Sequence, residues 1–399
     1  MLRVVFGLLL LLHGLIHGLG VVKGFGLFPV TSLKAPIGSA AAILWTLGLL
    51  GFTAGGALLL GKSPMWWVPT LPALVASTVA IVPVFAEAKA GLVVNAVVLI
   101  PLALSLLELR PQSFRSTYQA AVARGQARLA GRTAPLVRAE ELDGLPVPIQ
   151  TFLRGAGVVG QPHVLSLSAT MGGAFRRGRD EGWMSISAEQ VSYFDAPTRI
   201  FRMDASLFGI PFEALHIFEA GHARMQVRVA SLFEVVNAAG PKMDQSETVT
   251  YLNDLAVLAP AALLDAGITW EPVDETSAIA HYQGIAATLR IDAAGHLVDF
   301  VSSDRFQSAD GIEYRSYPWS TPLSDPRRYG AVVLPEHGSA VWREPEGDLC
   351  YARFELRSIE YNRGLPGADY RLSRRNLRIS SSEERAAWAA AAGVPPSHR

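Results

Sequence analysis

VVFGLLLLLHGLIHGLGVV, residues 4–22, holds two histidines and no other ionisable group. A bilayer core about 30 Å thick takes about 20 apolar residues of helix, so the stretch reads as a membrane span. Arg3 and the leucine run Leu8–Leu12 would also suit a signal peptide. No small-residue cleavage site follows, however, and three more apolar stretches do, so the helix reads as retained. They occupy residues 37–61, 66–86 and 90–107. The second ends at Lys62, Ser63 and Pro64. The third opens on the interfacial pair Trp66-Trp67 and carries Pro69, Pro72 and Pro83. The fourth holds Asn95 and Pro101, which neighbouring helices can accommodate.

The charge count sets this region apart from the rest. The 399 residues carry no net charge and are 50% hydrophobic. Residues 1–109 contribute five Lys/Arg (Arg3, Lys23, Lys34, Lys62, Lys89) and two acids (Glu87, Glu108). They are therefore +3 and the other 290 residues −3, a membrane-like part joined to a soluble-like part. A simple soluble enzyme, a disordered chain, a disulfide scaffold (Cys350 is the single cysteine) and a basic nucleic-acid binder are excluded. Four spans place Arg3, Lys62, Arg110, Arg115 and Arg124 on one side, and Lys23, Lys34 and Lys89 on the other. That bias orients both termini and the large domain toward the cytoplasm of a bacterial inner membrane, with the periplasm as the alternative.

Inside the spans, Gly14 and Gly18, Gly20 and Gly24, and Gly51 and Gly55 are four apart, a spacing for close intramolecular helix packing. His13 and His17 share one helical face. They either hydrogen-bond between helices or supply two ligands to a metal or haem, and two imidazoles alone make an incomplete site.

Residues 110–140 form a basic linker with Phe114, Tyr118, Ala121, Val122 and Leu129 at helical spacing. Such a helix lies on anionic headgroups or is an ordinary solvated linker. Leu145-Pro-Val-Pro-Ile149 punctuates the chain, a short helix at 148–155 follows, and the domain boundary falls near 140. From His163 the period becomes two. Met225, Val227 and Val229 alternate with Arg224, Gln226 and Arg228, and Ala352, Phe354 and Leu356 with Arg353, Glu355 and Arg357. Closely spaced turn signals make this an antiparallel meander. One helix, 246–266, interrupts it, capped by Ser246, ended by Gly267 and split or kinked by Pro260. The expected fold is thus an α-helical membrane domain of four spans (1–109), the linker, an α+β domain with a curved, half-barrel-like antiparallel sheet and one long helix (141–363), and a polar tail (364–399) with a short helix at 383–392.

GIAATLRIDAAGHLVDFVSSDRF (284–306) and YGAVVLPEHGSAVWREPEGDLCYARFELRSIEYN (329–362) resemble the closing strands of lipoprotein-carrier half-barrels of the LolA/LolB type, with Gly330–Pro335 as an edge and Tyr361-Asn362 as the closing pair. HGLIHGLG (13–20), ETVTYLNDLAVLAPAALLDAGITW (247–270) and SYPWSTPLSDPRRYG (316–330) resemble a bacterial multi-pass membrane-protein family known as a domain of unknown function. The first resemblance implies a hydrophobic or lipid-like ligand; the second implies no activity.

Candidate chemistry follows. Asn253 and Asp254 sit in an apolar helical run and either line a pocket or face solvent. Tyr251, Asn253 and Trp319 would line the mouth of a cavity. The 319–330 segment reads as a Pro-interrupted loop, where Arg327 and Arg328 would fork onto an anionic head group beside Asp325. An enzyme using Asp254 or Asp325 as acid/base is the alternative. His216, His222, Glu213 and Glu219 gather around one hairpin, yet no metal is assigned. No nucleophile elbow, P-loop or dinucleotide fingerprint is present. No cofactor and no nucleic-acid partner is implied; the partners expected are the bilayer and a hydrophobic ligand.

Overall fold

The computed structural model describes residues 2–207, 210–308 and 310–365; the helix expected at 383–392 lies outside them. Apolar runs become helices because backbone groups in hydrocarbon must satisfy one another. They are α1 (Leu2–Gly24), α2 (Ser39–Leu60), α3 (Trp67–Ile81) and α4 (Phe85–Leu107). Three helical segments are long and apolar enough to cross a membrane: Arg3–Gly24, Ser39–Leu60 and the 41-residue Trp67–Leu107. The third turns back on itself through Val82–Val84. Asn95 of α4 donates to Ser77 of α3 at 3.0 Å, and a Cβ on Gly91 would meet Ile81 at 2.7 Å. The break falls at Pro83, which lacks the N–H that a continuing helix needs. Glu87, expected in the break, instead stands in the first turn of α4 and accepts the backbone N–H of Lys34 at 2.9 Å.

Small residues bring these helices together. A Cβ on Gly20 would sit 2.0 Å from the Trp45 ring, and one on Gly51 2.5 Å from Ala73. Gly18 touches nothing within 4 Å, so the Gly14/Gly18 pair is not a packing motif as a whole.

Two more helices follow, α5 (Phe114–Leu129) and α6 (Val147–Gly155). The first meander is β1 (Ser166–Phe175), β2 (Met184–Tyr193), β3 (Thr198–Leu207), β4 (Ile210–Glu219), β5 (His222–Val229) and β6 (Phe233–Ala239). Helix α7 (Pro241–Leu258) and a 3-10 turn, Pro260–Leu264, lead to the second. It comprises β7 (Thr269–Pro272), β8 (Ser277–Tyr282), β9 (Ile285–Ile291), β10 (Leu297–Ser302), β11 (Phe306–Gln307), β12 (Arg315–Ser316), β13 (Trp319–Ser320), β14 (Leu323–Tyr329), β15 (Val332–Glu344) and β16 (Gly347–Tyr361). All but β11 and β12 join one 14-stranded antiparallel sheet, in which β1 pairs with β16 and so joins the two meanders. Asn362 locks that seam: its amide oxygen accepts Leu165 N at 2.7 Å and its NH2 donates to His163 O at 2.7 Å.

The structure changes three expectations. Helix α7 begins at Pro241, five residues before Ser246, because Gly240 at φ 102 turns the chain and Pro241 suits a first helical position. The Ser246 hydroxyl instead donates to Lys242 O and accepts Phe306 N. The helix ends before Pro260, as expected of a proline there. The 319–330 segment is not a loop: its main chain pairs with β15 as β13 and β14, with Pro326 tolerated on an edge strand. The basic linker is not a free, solvated helix, because it docks on the sheet. Phe114, Tyr118, Ala121 and Leu129 of α5 pack onto Tyr193, Ile200 and Leu215 of the sheet. Its arginines pair with the sheet too, Arg124 with Glu219 at 2.9 Å and Arg128 with Asp195 at 3.6 Å.

Candidate functional site

Strand alternation gives β2–β5 two unlike faces. Val191, Tyr193, Ile200 and Leu215 lie under α5. The opposite, concave face splits into two halves along the strands. Helix α7 crosses the half farther from α4, meeting residues near the turn ends of β2–β5. Asp244 accepts Ala223 N at 2.7 Å, and Tyr251 donates to Tyr193 O at 3.1 Å. Thirteen of the eighteen α7 residues are buried, so it is an internal element rather than a surface helix.

The contact beneath α7 is polar. Glu247, Thr250 and Asp254 recur at i, i+3 and i+7 and so share one helical face. Arg199 of β3 reaches Asp254 at 2.7 Å and Glu247 at 3.2 Å, and is itself buried. Gln190 donates to Asp254 at 2.7 Å, and His216 Nδ1 lies 3.6 Å from Glu247. Burial alone would raise the Glu247 carboxyl, but Arg199 and His216 hold it at about 2. Burial would lower Arg199, but Asp254 and Glu247 hold it above its ordinary value. The seam is incompletely satisfied: Glu247 Oε1 and Asn253 Oδ1 are buried without a hydrogen-bond partner.

One turn along α7, Thr250 receives Arg305 Nε at 3.2 Å. The Arg305 guanidinium lies 4.6 Å over the Trp319 ring and 5.2 Å over Trp342, and donates to the Tyr351 hydroxyl at 3.2 Å. Trp319 Nε1 donates to the same hydroxyl at 3.1 Å. Tyr351 thus accepts twice and keeps its own proton to give. The Arg305 charge also helps to hold the Glu247 carboxyl low.

Toward α4 the concave face is apolar. Continuing the alternation from Arg199, Gln190 and His216, the same face carries Phe201, Met203 and Ala205, then Ala188 and Ile186, then Ala214 and Phe212. Val227 and Val229 of β5 extend it. The central members Phe201, Ala188, Ile186 and Ala214 are buried, whereas Met203, Ala205, Phe212, Met225, Val227 and Val229 are only half-buried. No charged residue interrupts this floor. Two partly open pockets near the end of α7 and the 3-10 turn are small, about 50 Å³ against Phe152, Pro260 and Val333 and about 30 Å³ against Val164, Ala261 and Tyr361.

The expected site residues separate into three places. Tyr251, Asn253 and Asp254 are buried on α7. Trp319 is buried against Arg305 and Tyr351. Asp325, Arg327 and Arg328 stand on the exposed edge strand β14, where they pair locally with His337 (2.9 Å), Glu336 and Ala331 O (3.2 Å). They stand apart from Tyr251, because both faces of this edge strand are exposed whereas Tyr251 is buried. The Ser324 hydroxyl and His337 hold the Asp325 carboxyl below the ordinary range. Asp254 is fixed by Arg199. His216 and Glu213 occupy opposite faces of β4, and exposed His222 turns to Asp244 at 3.4 Å. Among the described residues, no three His, Cys, Asp or Glu are placed to hold a metal.

Between the membrane helices, His13 Nε2 meets Asn95 Oδ1 at 2.8 Å, and His17 bridges His13 O and Ser77 at 2.8 Å each. Asn95 also donates to Thr78 at 3.0 Å, whose own proton goes to Leu74 O. That orders the network: the Asn95 NH2 faces Thr78, so His13 donates from Nε2 and His17 from Nδ1. Each imidazole makes one helix-to-helix bond, His13 to Asn95 and His17 to Ser77.

Residues 135–354, over half of the chain, match the family of unknown function DUF6544. The chain belongs to that family. The DUF6544 region begins after α5, so it covers α7 and the sheet up to mid-β16 and leaves the apolar helices α1–α4 outside. A search of curated proteins finds no match. Among solved structures, a LolA-superfamily protein from Nitrosomonas europaea is similar at 9% identity and a TM-score of 0.32, over 55% of this chain and 94% of that one. A DUF1329-family protein from Desulfovibrio piger is similar at 11% identity and a TM-score of 0.32, over 55% and 95%.

Proposed function

We propose that this protein is a four-pass membrane protein whose β domain binds an apolar, lipid-like ligand on the half of its concave face that α7 leaves uncovered. The observation that carries the reading is the half-buried, charge-free floor of Met203, Ala205, Phe212, Met225, Val227 and Val229. Soluble proteins rarely leave a contiguous apolar surface open unless something binds it. The two small pockets near α7 are too small for an acyl chain, and the ligand of this reading lies on the open floor. Helix α7 forms its upper wall, held there by the Arg199–Glu247–Asp254 seam. Arg305 and the free Tyr351 proton supply the polar contact, and they suit a carboxylate or phosphate head.

The test is titration of a fluorescent polyene fatty acid into the detergent-solubilised full chain. The wild type should bind saturably. Ala205→Trp fills the floor and Arg305→Met removes the cation, and each should weaken binding about tenfold, or 1.4 kcal/mol. Equal binding by wild type and Ala205→Trp, with both folded, rejects the reading.

A further inference from the structure

The ends of two hairpins lie where the last membrane helix leaves the bilayer. Arg110, three residues past α4, donates to Ser231 O at 3.0 Å in the β5–β6 turn. Arg228 donates to Gln112 O at 2.9 Å and lies 4.2 Å over the Phe114 ring. Ala230 N donates to Pro211 O at 2.8 Å, which ties the β3–β4 end to the β5–β6 end. The first residue after α4, Glu108, is raised by burial and by the Glu213 charge and lowered by Arg202, so its surroundings are the same strands.

These ends are apolar and open. Ile210 is 50% exposed, Leu232 48% and Phe233 68%, while Leu109, beside Arg110, is 50% exposed. Arg110 and Arg115 are exposed around them. An apolar tip flanked by Arg110 and Arg115, with Glu234 beside it 4.0 Å from Arg228, suits a headgroup layer, with the two cations on phosphate and the apolar side chains among the upper acyl carbons. Phe233 pairs with Val229 and Ile210 with Leu207, so the tips continue the apolar floor instead of facing away from it.

We infer that the β3–β4 and β5–β6 hairpin ends, through Ile210, Leu232 and Phe233, are seated in the interfacial layer of the bilayer that α4 spans. The occupant is the host membrane and not a second protein, because the same few residues that hold the tips are covalently continuous with a membrane helix. A tip so placed gives the floor a dry route to lipid. The bilayer contact itself stands whether or not the floor binds a ligand.

The test uses the full chain reconstituted in liposomes containing anionic phospholipid. In a Cys350→Ser background, single cysteines at Leu232, Phe233 and, as the far-end control, His222 carry an environment-sensitive fluorophore. Quenching by a shallow nitroxide-labelled lipid and by aqueous iodide is compared. Labels at 232 and 233 should be quenched by the lipid at least about twofold more than the label at 222, and by iodide less. Two results overturn the inference. Iodide quenching at 233 equal to that at 222 would place the tips in water. Protection from iodide without lipid quenching would put another copy of the chain over the β6 edge.

Discussion

Replacing Arg199 with Met tests whether α7 rests on charge. The substitution keeps the volume but leaves Glu247 and Asp254, 2% and 11% exposed at their side chains, without their cation. Breaking a buried pair from one side costs about 3–5 kcal/mol, a large fraction of a domain stability of roughly 5–15 kcal/mol. At about 2–4 °C per kcal/mol for a domain of this size, the unfolding midpoint should fall by about 10 °C. Replacing all three charges with apolar residues of similar size should recover most of the loss. The pH dependence adds a sign. Glu247 is held at about 2 against an ordinary 4.5, so the pair contributes stability above pH 4.5 that disappears as pH falls toward 2. A shift of that size is worth about 3 kcal/mol. In Arg199→Met only His216 and Arg305 still oppose burial at Glu247, so its carboxyl rises from the wild-type value and acid costs the variant less. The gap between wild type and variant should therefore narrow on acidification. Thermal unfolding of the full chain in detergent, followed by near-ultraviolet circular dichroism from pH 7 to about pH 3, reads both effects. A loss under about 1 kcal/mol, or a gap independent of pH, would refute the reasoning.

Gly125→Ala sets helix propensity against packing: Ala favours a helix by about 1 kcal/mol, but the new Cβ would sit 2.0 Å from the Tyr193 ring, an overlap worth about 1–3 kcal/mol. A lower midpoint in thermal unfolding is expected; a raised one would mean that α5 does not dock on the sheet. Asn95→Leu removes the hub joining His13, Ser77 and Thr78 and should cost about 1 kcal/mol in detergent unfolding, with no change in absorbance spectrum. A change in metal content or colour in that variant would restore the histidines to a ligand role.

The apolar helices were legible in the sequence because hydropathy over about 20 residues is a long, redundant signal. Their one misplaced break shows its limit: Glu87 and Lys89 suggested an interruption, while Pro83 made it. The concave site was legible only in part. Leu252, Leu255 and Leu258 announced a helix, yet Glu247, Thr250 and Asp254 are a second face of it, and their partner Arg199 lies 48 to 55 residues earlier. The β3 sequence TRIFRMDASL holds arginines on both faces, Arg199 and Arg202, so alternation alone does not say which one is interior. Arg305 follows a strand in a short turn, with no periodic neighbour to mark it. Asp325, Arg327 and Arg328 drew notice because charge and proline together read as a loop; in an edge strand the same residues are solvated decoration.

The central claim is that hydrocarbon lies on the uncovered half of the concave face. Determining the structure of the full chain with a fatty acid brominated at mid-chain locates that hydrocarbon directly. The account predicts bromine density in van der Waals contact, about 4 Å, with Met203, Ala205 and Val227. Bromine found only among α1–α4, with the floor bare, would contradict it.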